Sequence, residues 1–287
     1  MNYNQILLAD IGGTNINFAI YDKFHKKILF KEKLKSHQFK SFEDALNSFL
    51  KDLNPPIVAL LAVSGPIINN KKIEPTNDSY SIEISSIKKK CKINQVYILN
   101  DFTALSYSIL NIKKKDLIVL NSGKKNISDK ISLLGAGTDL GKSLIIENKD
   151  EIRIIPSEGA HCDFPIQNEF EFKLCEYIKN SENIKKLRWG HLVSGRGIER
   201  IYDYLQKTKY SKYLEKLSAE EISKTKKTNL VSEKTFEIFY KFYARAIRNS
   251  FFENLSLKGI YLAGGIIQKN LDFNKNEFLN AFNDYGL

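Results

Sequence analysis

The chain opens on a nearly continuous apolar run at residues 5–11, and two alternating runs follow at 15–21 and 28–34, which predicts three strands. Gly12-Gly13 falls at the first turn, where glycine is expected to supply the positive φ of a tight hairpin. Residues 41–53 read as a helix: Ser41 can cap it, Glu43 and Asp44 lie in its first turn, and Phe42, Ala45, Leu46, Phe49, Leu50 and Leu53 form one stripe. Pro55-Pro56 stops it. Apolar runs at 57–63 and 96–99 predict buried strands, with a helix between them near 82–90 and another over 102–110.

The pattern then restarts. Strands are expected at 130–136, 142–147 and 152–155, helices near 168–178, from Ser194 and over 232–253, and a last strand at 258–263 that ends in Gly264-Gly265. Both halves begin with a strand, a Gly/Thr turn and a strand: Asp10-Ile-Gly-Gly-Thr-Asn15 and Gly135-Ala-Gly-Thr-Asp-Leu-Gly141. This predicts an internally duplicated α/β protein of two mixed lobes with a cleft between them, 1–110 small and 111–287 large.

Composition narrows the function classes. No run approaches the 18 consecutive apolar residues of a membrane span, and Asp10 breaks the first apolar run, so it reads as a strand and not as a signal peptide. Cys91, Cys162 and Cys175 are too few and too scattered for a disulfide framework or a zinc site, which suits a reducing, cytoplasmic setting. The net charge of +11 could announce nucleic acid, yet only six of the 44 basic residues are Arg and the lysines are dispersed. A solvated surface with no nucleic-acid or membrane partner is the expectation.

Six segments could carry chemistry. In Asp10–Thr14, glycines expose backbone N–H groups to a phosphate and Thr14 adds a hydroxyl, while Asp10, expected to be buried, calls for a cation such as Mg²⁺; a plain hairpin turn is the alternative. Asn100-Asp101 follows an apolar strand and opens a helix, where Asp101 can act as a general base or merely as a cap. Ala136–Ser143 imitates a P-loop, but a strand pattern follows where a phosphate-binding helix is required. Residues 156–165 form a loop with Glu158 and His161 three apart, suited to hydroxyl-rich ligands, and no metal-ligand spacing surrounds His161. Leu192–Gly197 and Leu262–Gly265 add two more glycine turns, each of which could serve close packing alone.

Taken in order, LLADIGGTN, AVSGPI, ILNDFTALSYSI, GAGTDLG, PSEGAHCDF, LVSGRG and YLAGG resemble the bacterial glucokinase family of the hexokinase/actin-like ATPases, from Gln5 onward. The resemblance implies an actin-like (ribonuclease H-like) two-lobed fold and transfer of the ATP γ-phosphoryl group to the 6-hydroxyl of glucose. It makes Asp101 the base and Asn100, Glu158, His161, Ser64 and Gly65 sugar contacts. It makes Ala9, Asp10, Ile11, Gly12, Gly13, Thr14, Gly137, Thr138, Gly264 and Gly265 the ATP site, with Asp10 reaching Mg²⁺ through water. The chain departs from the family pattern at Gly190, where a glucose-contacting Glu is usual, and at Asp139, where a Gly is usual. The sequence also stops at Leu287 before the last strand and helix of the family pattern, which is expected to expose a sheet edge and apolar surface and to favour a homodimer. A catalytically impaired sugar-binding relative or regulator, and a P-loop NTPase built on Ala136–Ser143, are the competing readings.

Overall fold

The computed structural model describes residues 4–65, 67–69, 72–73, 80–123, 128–210 and 215–285. They cluster into two compact units, Met1–Ser108 and Ile109–Leu287.

The first unit is built on a five-stranded mixed sheet. Its elements are β1 (Gln5–Ile11), β2 (Asn15–Asp22), β3 (Lys27–Lys35), α1 (Phe42–Phe49), β4 (Val58–Val63), β5 (Ile67–Ile68), β6 (Lys72–Ile73), β7 (Ile82–Glu83), α2 (Ile84–Cys91), β8 (Gln95–Asn100) and α3 (Asp101–Ile109). The sheet order is β3-β2-β1-β4-β8, with β5-β6-β7 as a small separate sheet. Strands β1, β2 and β3 pair antiparallel, whereas β1, β4 and β8 run parallel. Although 5–11 is almost wholly apolar, only Leu7, Ala9 and Ile11 are fully buried, because alternate side chains leave opposite faces. They share a core with Phe18, whose ring stacks on Phe49 of α1 at 4.8 Å. Ser41 caps α1 by accepting from Asp44 N–H, as its position predicts.

The second unit repeats the plan. It contains β9 (Lys130–Ala136), β10 (Leu140–Glu147), β11 (Ile152–Ser157), α4 (Glu169–Glu182), α5 (Trp189–Leu192), α6 (Gly195–Lys209), α7 (Ala219–Thr225), α8 (Leu230–Asn254), β12 (Gly259–Ala263), α9 (Gly265–Lys269) and α10 (Lys275–Asn283). The order β11-β10-β9-β12 again joins an antiparallel meander to a parallel strand. Helix α8 is central: Phe236, Phe239, Tyr243 and Ile247 are buried in one cluster with Leu134, Leu174 and Leu205. A buried ion pair, Arg245 to Glu171 at 2.6 Å, ties α8 to α4.

Most long periodic elements lie where the sequence pattern puts them, but the helix expected over 41–53 ends at Phe49, and α10 lies beyond the last expected element. The helix expected near 82–90 begins two residues later, because Ile82–Glu83 is taken by β7. Two-residue strands and the short helices α5, α7 and α9 fall below the length at which periodicity is legible.

Candidate active site

Register places the candidate residues of the first unit along one sheet edge. Asp10 is aligned with Ala62 and Ala62 with Leu99, and Ile11 with Val63 and Val63 with Asn100. The C-terminal ends of β1, β4 and β8 therefore present Asp10, Ser64-Gly65 and Asn100-Asp101 side by side. That end of parallel strands is where open α/β sheets bind ligands.

Each of these residues is held locally. Asp10 projects to the face opposite Ala9 and Ile11 and is exposed. The expectation of a buried carboxylate is thus corrected by strand alternation, and Asn17, its cross-strand neighbour, donates to Asp10 Oδ2 at 3.0 Å. Gly12 and Gly13 do not adopt positive φ, contrary to the expectation for the turn. Gly12 is instead closely approached: a Cβ there would sit a tight 3.3 Å from Asn15 O, which accepts the Gly12 N–H at 3.0 Å. A Cβ on Gly13 would meet nothing within 4 Å, so Gly13 and the exposed Thr14 border open space. Ser36 steadies the turn from outside, donating its hydroxyl to Gly12 O and its N–H to Thr14 O. Gly65 has φ +114°, a conformation that demands glycine. Pro66, next in that motif, lies outside the described residues.

At the start of α3 the cap is Asn100: its Oδ1 accepts from Phe102 N–H at 3.0 Å and Thr103 N–H at 3.2 Å. The capping role considered for Asp101 therefore belongs to its neighbour. Asp101 is the first helical residue and half-buried, and its Oδ1 accepts from Phe102 N–H at 2.8 Å. The cap uses the Asn100 oxygen and not its amide nitrogen.

The second unit gathers its own set. Gly137-Thr138 turns from β9 to β10, and Gly137 O accepts from Gly195 N–H at the start of α6 at 2.8 Å. Beside it β12 runs parallel to β9 and ends at Gly264. Gly264 has φ +92°, and a Cβ there would lie 2.5 Å from Ala136 O, so both backbone and space require glycine; Gly265 faces open space. Two glycine turns thus share the C-terminal end of this sheet also.

Glu158 and His161 meet, His161 Nε2 lying 3.3 Å from Glu158 Oε2. Arg188 donates to His161 Nδ1 at 2.6 Å, which leaves the imidazole hydrogen on Nε2, toward Glu158. The other guanidinium nitrogen lies 3.2 Å from His191 Nε2, and Arg188 N–H donates to His191 Nδ1 at 3.2 Å. Burial, then the positive charges of Arg200 and Arg188, hold His191 below the usual imidazole range. The loop is pinned to α5 by Trp189 N–H to Cys162 O and by the bridge between Asp163 and Arg188. Sequence reasoning missed Arg188 and Asn17; the only trace of Arg188 is an Arg next to the single Trp, and Asn17 is one polar residue of an alternating strand.

Lys142 lies within β10, 4% exposed, aligned with Leu134 and Ser157. Burial lowers its pKa. A P-loop lysine must instead follow a phosphate loop into a helix, so Ala136–Ser143 does not form one. Among the described residues no three His, Cys, Asp or Glu side chains form a metal cluster.

Two mixed sheets of duplicated plan define an actin-like two-domain α/β fold. The glucokinase family profile matches residues 7–287, and the chain belongs to that family. It is 29% identical to a glucokinase of Nostoc punctiforme over 98% of this chain and 90% of that protein. Its fold matches a solved glucokinase from Balamuthia mandrillaris in complex with glucose, at a TM-score of 0.83 and 22% identity, over 98% of this chain and 86% of the other. It also matches a ROK family glucokinase from Streptomyces griseus in complex with glucose and AMPPNP, at a TM-score of 0.64 and 14% identity, over 97% of this chain and 87% of the other.

Proposed function

We propose that this chain transfers the γ-phosphoryl group of ATP to the 6-hydroxyl of glucose. The observation that carries the reading is the alignment of Asp10, Ser64-Gly65 and Asn100-Asp101 at the ends of three parallel strands, in a chain of the glucokinase family. The complexes of its structural neighbours with glucose and with an ATP analogue support both ligands.

In this reading the Asp101 carboxylate takes the proton of the 6-hydroxyl as that oxygen attacks the γ-phosphorus and ADP leaves. The Asn100 amide nitrogen donates to a sugar hydroxyl, and Ser64 and Gly65 line the sugar. Glu158 accepts from a hydroxyl while His161, its tautomer set by Arg188, donates or accepts beside it. Ala9 through Thr14 and Gly137-Thr138 cradle the phosphates, and Gly264-Gly265 receives the adenosine end. The exposed Asp10, with Asn17 on one oxygen, offers the hard oxygen donor that Mg²⁺ prefers. Mg²⁺ would neutralise charge on the β- and γ-phosphates. The same reading takes in lobes that divide near Leu110, supported by the two compact units. It also takes in a cytoplasmic setting, supported by free Cys91, Cys162 and Cys175, and a homodimer, supported by exposed Phe252, Leu255 and Leu257.

A coupled ADP assay with glucose, fructose, mannose and N-acetylglucosamine tests it. Glucose is expected to drive turnover, and Asp101→Asn to lower kcat by about 10²- to 10⁴-fold with the melting temperature unchanged, because Asn still accepts from Phe102 N–H. Turnover surviving in Asp101→Asn would remove the base assignment. A folded protein inert toward every hexose would leave the sugar-binding relative, which the absence of a side chain at Gly190 favours.

A further inference from the structure

The two departures noted in the sequence touch each other. A Cβ built on Gly190 would fall 1.8 Å from Asp139 Oδ1 and 2.8 Å from its Cγ. Gly190 lies within α5, in a helical backbone that any residue adopts, so the backbone does not ask for glycine there. The Asp139 side chain reserves the position: its carboxylate fills the volume in which a side chain at 190 would begin.

Half of that carboxylate is committed. Oδ1 accepts from Leu140 N–H at 2.7 Å, which fixes the side chain over α5. Oδ2 has no hydrogen-bond donor among the described residues, and Asp139 is exposed. The element under it is the one that organises the sugar loop, since Arg188 and Trp189 of that segment bind His161 and the Cys162 carbonyl. The charge of Asp139 is felt at His191, which it pulls toward protonation against the opposing Arg188 and Arg200. A free carboxylate oxygen repels a polyphosphate and accepts well from a neutral hydroxyl. The chemistry it suits on this side of the unit is therefore a polyol.

We infer that Asp139 is a sugar-binding residue, accepting a hexose hydroxyl through Oδ2, the oxygen that Leu140 N–H does not engage. This rests on the kinase reading above. It turns two separate losses into one exchange, in which the carboxylate is supplied from the β9–β10 turn and lies over the place where Gly190 has no side chain. A Cβ at 190 would push that carboxylate aside.

Isothermal titration with glucose measures binding without turnover. Asp139→Asn keeps an oxygen for Leu140 N–H and removes the anionic acceptor. It should weaken glucose by about ten- to a hundredfold in Kd and KM, with the KM for ATP unchanged. Gly190→Ala, whose Cβ must displace the Asp139 carboxylate, should weaken glucose in the same direction, again with the KM for ATP unchanged. An unchanged glucose Kd in Asp139→Asn, or tighter ATP binding there, would overturn the inference and turn the carboxylate toward the phosphates. Wild-type protein that neither binds nor phosphorylates glucose would remove the kinase reading itself, and the inference with it.

Discussion

Arg188 donates to His161 Nδ1 at 2.6 Å while the same guanidinium lies 3.2 Å from His191 Nε2. One cation therefore fixes the ring of a residue that faces Glu158 and opposes a proton on the ring behind it. The planar fork allows both contacts, which a lysine ammonium cannot reproduce.

Arg188→Lys should accordingly raise the KM for glucose by roughly tenfold, in line with the loss of one charge-assisted hydrogen bond, and leave kcat much less affected. Steady-state kinetics in both substrates checks this. An equal rise in the KM for ATP would show that Arg188 supports the unit at large and not His161.

Asn100 has two separable roles. Asn100→Ala removes the cap from Phe102 and Thr103 and should cost about 1 kcal/mol, lowering the urea midpoint. Asn100→Asp keeps an accepting oxygen for both N–H groups and loses the amide donor. It should hold wild-type stability while weakening glucose. Denaturation and glucose titration of the pair separate the cap from the ligand contact.

Adjacent glycines in the last turn should respond differently. Gly264→Ala forces a Cβ to 2.5 Å from Ala136 O at φ +92°, and a loss on the order of 1–3 kcal/mol is expected from chemical denaturation. Gly265→Ala meets nothing within 4 Å and should unfold at the wild-type midpoint, with its effect confined to the KM for ATP.

The lowered pKa of His191 makes stability depend on pH in a definite direction. Above the unfolded value of about 6.5 the ring is neutral in both states and the fold keeps its full stability. As pH falls below that value, the unfolded chain takes up a proton that the folded one resists, and stability drops until the folded group also titrates. Lowered carboxyl groups such as Asp22 and Glu182 act further down, in the carboxylate range. Urea midpoints at pH 7.5 and pH 5.5 should therefore differ for the wild type and differ less for His191→Gln.

Much of this molecule is legible in its chain because the signals are local. A mostly apolar strand ending before Gly12, a Ser41 cap with acids behind it, and a helical stripe over α8 each stabilise their element through contacts a few residues apart. The order of the motifs was enough to name a kinase family, and Asp101, Glu158 and Gly264 could be singled out by position alone. The burial of Asp10 was misjudged because an apolar run does not say which face of a strand is covered. That Asn100 and not Asp101 caps α3 depends on one turn of backbone geometry.

What the sequence by itself determined, then, was the order of most long elements, the duplicated plan and the residue types gathered at the strand ends. Only the tertiary structure decided which of them touch. Strand register aligned Asp10 with Ala62 and Leu99, residues far apart in the chain. Packing of α5 on the β9–β10 turn brought Asp139 onto Gly190 across 51 positions of sequence. Propensity and periodicity act over a few residues, whereas such pairings follow from how whole elements close-pack, and close packing is a property of the folded chain.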